Sequence, residues 1–307
     1  MAKKRLLFVI DSLNVGGAEK SLVTLLNLLD YSRYEVDLQL FAYGGAFQQF
    51  LPPNIKVLPP LDYTEFLTFP LWKQLQYPKF LYARLMYSVK IRKEGLLHAD
   101  KACLYWQTIG SCVKKGGIDY DVAIAYAQGI PTFYTIDKIK AKKQLVWVNV
   151  DYKLHGATRA YQRSYYEKAD DTVHVSDSVF NVFATLVYPE FREKMKIMWD
   201  INDGQMIQRM SELPSDKPIK KDVPVIMTAG RLNKPQKGYD LALEAAKILR
   251  NRGVQFRWYA IGDGPYRGEM ERFIAENQLQ EHFILLGITA NPYSYMRQCD
   301  IYVQTSR

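Results

Sequence analysis

Short apolar runs of β type, each followed by a stretch with helical spacing, recur along this chain, stop at a polar segment and then begin again. Residues 5–10 read as a continuous apolar strand, and residues 18–29 as a helix with apolar side chains at helical spacing. A second strand is predicted over 35–42, where Val36, Leu38, Leu40 and Ala42 alternate with polar neighbours. Further β-type runs lie at 120–126 and 144–150. Strands separated by helices in this rhythm predict a parallel, doubly wound sheet.

The interruption is the run SELPSDKPIKKDVP at 211–224, rich in proline and charge, which reads as a linker. The rhythm then restarts with strands at 225–229, 256–261, 283–286 and 301–304 and helices at 239–250 and 266–276. A chain of 307 residues suits two such α/β domains. The expected organisation is a first domain over 1–205, a linker over 206–222 and a second domain over 223–307. There is no short internal repeat.

Composition excludes several classes. With 48% hydrophobic and 24% charged residues, an ordered core is expected throughout. Cys103, Cys112 and Cys299 form no CxxC pair and have no histidine at ligand spacing, so neither a disulfide framework nor a zinc site is expected, and a reduced compartment is the simpler reading. Lys3-Lys4-Arg5 before an apolar run imitates a signal peptide, but the run is short and ends at Asp11 without a small-residue cleavage site. No stretch approaches the roughly 18 apolar residues of a membrane-spanning helix. The formal charge of +9 suits nucleic acid, anionic lipid or a sugar nucleotide alike, and no zinc-finger, KH or RRM pattern favours nucleic acid.

Three glycine-bearing loops follow predicted strands. Gly16-Gly17-Ala18-Glu19 lies between the first strand and its helix, where close backbone approach and free helix N–H groups suit phosphate; a plain tight turn explains it equally. In AGRLNKPQKGYD, Arg231 and Lys237 lie on one loop at a strand's carboxyl end and can converge on a diphosphate, one as a fork and the other as a point charge. Solvated loop cations are the alternative. Gly262-Asp263-Gly264-Pro265, with Gly268, has the wrong spacing for a dinucleotide fingerprint, and a structural turn explains much of it.

Together these loops resemble glycosyltransferase family 4, whose fold is GT-B. Residues 225–307 resemble its donor domain, and the GGAE loop, the segment at Trp147, Asn149 and Tyr152, and the VSDS run at 175–178 match its acceptor half. The resemblance implies two Rossmann-like domains and retaining transfer from a nucleoside diphosphate sugar, with no cofactor and no metal. It implies that Gly16, Gly17, Arg231 and Lys237 bind the donor diphosphate, that Gly262, Asp263, Gly264, Ile288 and Tyr293 line the nucleotide, and that Glu19 faces the acceptor. Many relatives carry histidine where Asn149 stands; an amide can bond a sugar hydroxyl but is no general base, which leaves Asp151 for that role beside Asn149. In the family, the strand ending in a serine like Ser306 runs into a loop with two glutamates, which this chain does not reach before Arg307, so the second domain is expected to be incomplete.

Asp119-Tyr120-Asp121 imitates a metal-binding DxD motif but sits at the entry to a strand. His98, His155, His174 and His282 are scattered, and Ser12, Ser176 and Ser178 lack a nucleophile-elbow context. Between Phe66 and Lys93 there is no acidic residue, while Lys73, Lys79, Arg84, Lys90, Arg92 and Lys93 alternate with Phe69, Trp72, Tyr77, Phe80, Tyr82 and Tyr87. That pattern fits an anionic membrane surface or, equally, a solvated helix with one face in the core. The expectation is a cytoplasmic hexosyltransferase, peripheral at the inner face of the membrane, acting on a cell-surface glycan or lipid-linked acceptor and not on nucleic acid. The alternatives are a catalytically inactive binding protein of the same fold and a nicotinamide-dependent oxidoreductase.

Overall fold

The computed structural model describes residues 2–92, 96–150, 152 and 154–307. These form two compact units, Met1–Ile201 and Asn202–Arg307.

The first unit is built on seven strands: β1 (Lys4–Ile10), β2 (Tyr34–Leu40), β3 (Ile55–Val57), β4 (Asp119–Ala125), β5 (Lys140–Val148), β6 (Asp171–His174) and β7 (Met195–Ile197). All are parallel, in the order β3-β2-β1-β4-β5-β6-β7. The chain moves outward through β2 and β3, then returns to β4 on the other side of β1. Phe8 therefore pairs with Leu38 on one side and Ile124 on the other. This reversal opens a crevice at the carboxyl ends of β1 and β4, where doubly wound sheets bind ligands. The helices are α1 (Gly17–Leu28), α2 (Asp62–Thr68), α3 (Leu71–Gln74), α4 (Pro78–Lys90), α5 (His98–Ile109), α6 (Ile130–Lys138), α7 (Gly156–Lys168) and α8 (Asp177–Val182).

β1 is buried from Leu6 to Ile10, as a central parallel strand covered on both faces should be. The alternation in β2 does not mark a solvent face. Asp37 and Gln39 are both buried; Asp37 accepts a 2.7 Å bond from the Tyr120 hydroxyl, and Gln39 donates to Tyr43 Oη and Leu40 O. Asp119 and Asp121, the DxD imitation, pair with Lys140 and Lys142 across β4 and β5 at 2.8 and 2.6 Å. Both carboxylates hold two strands together at the amino end of the sheet. β3, β6 and β7 escaped the sequence reading because each has only three or four residues.

The second unit contains α9 (Gly204–Glu212), α10 (Lys234–Lys237), α11 (Tyr239–Asn251), α12 (Arg267–Glu276) and α13 (Tyr293–Met296), and the strands β8 (Val225–Ala229), β9 (Arg257–Ile261), β10 (Phe283–Gly287) and β11 (Ile301–Tyr302). The strands are parallel in the order β10-β9-β8-β11. Tyr239, Leu243, Met270 and Phe283 fill one face; Val225, Met227, Tyr259 and Tyr295 fill the other.

The segment read as a linker, 206–222, is not a free connector. It begins inside α9, and Asn291 Nδ2 donates to Met210 O at 2.6 Å. Further on, Lys217 N and Lys220 N donate to the hydroxyls of Tyr295 and Tyr259, and Ile219 packs on the second face of the sheet. Its prolines and charges suggest solvent, yet its backbone N–H groups cap two core tyrosines.

The basic aromatic stretch also divides differently from its sequence reading. Phe66 is fully buried, and Phe69, Phe80 and Tyr87 pack against the core, so none of these four is a surface anchor. The exposed residues are Leu71, Trp72 and Leu75 around α3, with Tyr82, Leu85 and Val89 on α4. Lys93 lies outside the described residues.

Candidate functional site

In the first unit the carboxyl end of β1 turns through Asp11 into the Gly16-Gly17 loop. The Asp11 carbonyl accepts from Phe41 N and Ala42 N, which fixes this turn against the end of β2. Its carboxyl group is raised to about 7, first by burial and then by the nearby charge of Glu19. Glu19 is itself raised, chiefly by burial. Glu19 folds back over the first turn of its own helix, and a β-carbon on Gly16 would stand 2.2 Å from Glu19 Oε2. That contact is with the movable end of a side chain, and Gly16 is extended at φ −166°, so glycine is not required there; Gly17 has open space above it. The amino terminus of α1, expected to offer free N–H groups to phosphate, carries a carboxylate of its own.

Asn149 follows the carboxyl end of β5. Its side-chain nitrogen donates to Tyr126 O at 2.7 Å and its backbone N–H to Gln128 Oε1 at 3.2 Å. Its Oδ1 is buried and has no partner among the described residues. An unpaired buried acceptor is costly, and a ligand hydroxyl would satisfy it. Tyr126, stacked on Trp147 at 5.1 Å, bonds Ser21 of α1, and Ser21 donates to Asp200 at 2.6 Å. The carboxyl ends of β4 and β5 and helix α1 are thereby fastened together around Asn149. Asp151 lies outside the described residues.

The second unit brings three loops together at the carboxyl edge of its sheet. Gly262, at φ +133°, packs on the loop after β8: a β-carbon there would lie 2.0 Å from Gly230 O. At Gly264 the same atom would lie 2.3 Å from Leu232 O. Backbone bonds lock the contact, from Leu232 N to Asp263 O and from Tyr266 N to Leu232 O. These glycines thus serve the nesting of one loop on another, the structural alternative to a dinucleotide fingerprint. Asp263 accepts from Gly264 N and faces Arg267 at 3.7 Å.

Arg231 is exposed, and Lys237 is half-buried with its stem beside Gly230. Among the described residues neither has an acidic partner, although Arg257, Arg267 and Arg307 of the same unit all do. The loop carrying Lys237 is held rigidly. Thr305 Oγ1 donates to Lys237 O at 2.8 Å, Arg307 N to Gln236 O, and the Arg307 guanidinium forks onto Asp240. Asn233 Oδ1, on the same loop, is buried without a partner among the described residues. Ile288 is 63% exposed beyond β10, and Tyr293 opens α13.

The sequence reading brought Arg231, Lys237, Gly262, Asp263 and Gly264 to one edge of the second sheet, and Gly16, Gly17, Glu19 and Asn149 to one edge of the first. It missed Asp11 and Asn233. A polar residue immediately after a buried strand was the available signal for Asp11. His174 is buried with Nε2 beside Thr172, His282 stacks on Phe256, and His155 stands at the N-cap position of α7 without a side-chain cap bond.

Residues 210–307 match the family described as Glycosyl transferases group 1. An uncharacterized glycosyltransferase of Methanocaldococcus jannaschii is 23% identical over 145 residues, which is 46% of this chain and 36% of that protein. The N-acetylgalactosamine-N,N'-diacetylbacillosaminyl-diphospho-undecaprenol 4-alpha-N-acetylgalactosaminyltransferase of Campylobacter jejuni is 32% identical over 81 residues, which is 26% of this chain and 21% of that protein. The chain thus spans well under half the length of these curated relatives. The crystal structure of Anabaena HepE with UDP and glucose superposes with a TM-score of 0.56 at 17% identity, over 99% of this chain and 74% of that one. The structural likeness shows the GT-B fold. The family match is confined to the second unit, and both named relatives are glycosyltransferases.

Proposed function

We propose that this chain transfers a hexose-type sugar from a nucleoside diphosphate sugar, with retention of configuration, to a cell-surface glycan or lipid-linked acceptor. The observation that carries the reading is the pair Arg231 and Lys237, cations without acidic partners among the described residues, at the carboxyl edge of the unit that matches a glycosyltransferase family. Departure of a nucleoside diphosphate builds negative charge on its phosphate oxygens, and fixed cations stabilise that charge without reorganising. Arg231 supplies a planar fork and Lys237 a point charge. Neutralisation is assigned to these side chains, so a resident metal has no part in the reading.

In the first unit, the free Oδ1 of Asn149 accepts a hydrogen bond from a sugar hydroxyl, and Asp11, poised near neutrality, is the carboxyl group suited to exchange a proton. The solved structure of HepE contains UDP and glucose, and the Campylobacter relative is named for a diphospho-undecaprenol acceptor; both agree with this assignment. We place the reaction in the cytoplasm, at the periphery of a membrane. No helix among the described residues is long and apolar enough to cross one.

Calorimetric titration with UDP and GDP tests the reading. Arg231→Ala and Lys237→Ala should each weaken binding by about 1.5–3 kcal/mol, the worth of a charge-assisted contact. Transfer from a UDP- or GDP-sugar should survive a chelator. Unchanged affinity in both variants removes the diphosphate assignment.

A further inference from the structure

Helix α4 is apolar on two faces. Phe80, Ala83 and Tyr87, at positions i, i+3 and i+7, pack inward on the core of the first unit. Tyr82, Leu85 and Val89 repeat the same spacing on the outer face and are 67%, 62% and 58% exposed. A helix with solvent on one side ordinarily makes that side polar. Here the outer stripe ends at Val89, Lys90 and Arg92, and these three residues form one wall of an open cavity of about 590 Å³. Leu104 of α5 and Ala157 and Tyr161 of α7 form the other described walls.

The cavity is of ligand size, since small-molecule clefts run from about 300 to 1,000 Å³. Its chemistry is divided. Cys103, on its α5 side, has a thiol pushed up to about 11 by burial and remains neutral. Lys90 and Arg92 have no acidic partner among the described residues. Asp100 also lines the cavity, but both its oxygens are engaged: Oδ2 accepts from Leu97 N at 2.9 Å, and Oδ1 accepts from the Thr158 hydroxyl. Its job is to tie the first turns of α5 and α7 together. Ala157 and Thr158 belong to the first turn of α7, where the Asp100 carboxylate already meets the dipole of that helix end.

We propose that this cavity binds a phosphorylated lipid: the apolar chain lies along Val89, Leu104, Ala157 and Tyr161, and the phosphate meets Lys90 and Arg92, away from the Asp100 carboxylate at the first turn of α7. The outer stripe of α4 is continuous with the cavity, so a lipid leaves the bilayer along Tyr82, Leu85 and Val89 without crossing water. The inference rests on the proposed transferase activity only in naming this lipid the acceptor. The binding site itself is independent of the donor loops.

The test uses the whole chain and dodecyl phosphate below its micellar concentration, followed by calorimetry, with inorganic phosphate and dodecyl maltoside as separate arms. Dodecyl phosphate should bind at least tenfold more tightly than either control. Ala157→Trp, which fills the cavity, and the surface pair Lys90→Glu with Arg92→Glu should each weaken it at least tenfold while UDP affinity stays at the wild-type value. Should Ala157→Trp fail to fold, the exposed charge-reversal pair still decides. Equal binding of inorganic phosphate, or wild-type dodecyl phosphate affinity in the charge-reversal pair, overturns the proposal. Loss of UDP binding in Arg231→Ala with dodecyl phosphate binding intact shows that the two sites stand or fall separately.

Discussion

Gly262 sits so close to Gly230 that a β-carbon on the first would stand 2.0 Å from the carbonyl oxygen of the second. Its φ of +133° is, besides, a conformation that side chains rarely adopt. Gly262→Ala should therefore destabilise the second unit by more than about 1 kcal/mol from backbone strain alone, with the overlap adding to it. Gly268→Ala is the control: nothing lies within 4 Å of its β-carbon position and it sits in α12, so alanine there should be neutral or mildly stabilising. Urea midpoints of both variants check the pair. Equal midpoints for Gly262→Ala and wild type would refute the nesting of the two loops.

Asp11 sets a dependence of stability on pH. With its folded value raised to about 7, the folded chain keeps a proton that the unfolded chain releases near 4. The stabilisation is complete below about 4 and is lost as pH rises through 7. Asp11→Asn should remove this declining contribution, and Glu19→Gln should shift it to lower pH, since the charge of Glu19 helps hold the proton on. Unfolding free energies between pH 4 and 8 for the three proteins decide the matter.

His174 acts with the opposite sign. Burial lowers it from 6.5 to about 4, so the unfolded chain gains a proton in that window and the folded chain does not. Stability from this group is present above 6.5 and lost as pH falls toward 4. Because the windows of His174 and Asp11 overlap, their two contributions should largely offset each other between about 4 and 6.5. His174→Phe, packed by Phe180 and Phe183, should unmask the Asp11 slope, and Asp11→Asn should unmask that of His174. Two single variants that both stay flat would rule out the compensation.

Trp72 and Phe66 should respond differently to truncation. Phe66 is fully buried in the core, and Phe66→Ala should cost about 3–5 kcal/mol of stability. Trp72 is 68% exposed, and Trp72→Ala should leave stability unchanged while lowering co-sedimentation with anionic vesicles at low salt. A Trp72→Ala variant that binds vesicles like the wild type would remove α3 from any membrane contact.

The parts of this fold that could be read in advance are those where one physical rule dominates. β1, β8 and β9 are continuous apolar strands because both sheet faces are covered, and burial alone reveals them. β3 and β7 are three-residue pairings whose existence depends on their neighbours, and no local pattern announces them. The segment 206–222 reads as a connector because it is held by few apolar side chains, Met210 and Ile219 among them, together with backbone N–H groups that composition does not report. In the candidate site, Arg231 and Lys237 were legible as two cations on one loop after a strand. Whether Phe66 or Trp72 faces solvent was not, since both belong to the same basic aromatic run and only the packing of α2 against α4 and α5 separates them.

The clasp of Thr305 and Arg307 on residues 234–240 has a consequence for the order of folding. The residues it joins are 67 to 73 positions apart in sequence, so the loop bearing Lys237 gains its final shape only after β11 has docked beside β8. Contacts of such separation carry a large closure entropy and form late. Lys237 is thus set in place by the last parallel pairing of its sheet, and a partly folded second unit, however native its earlier strands, holds it on an unfastened loop.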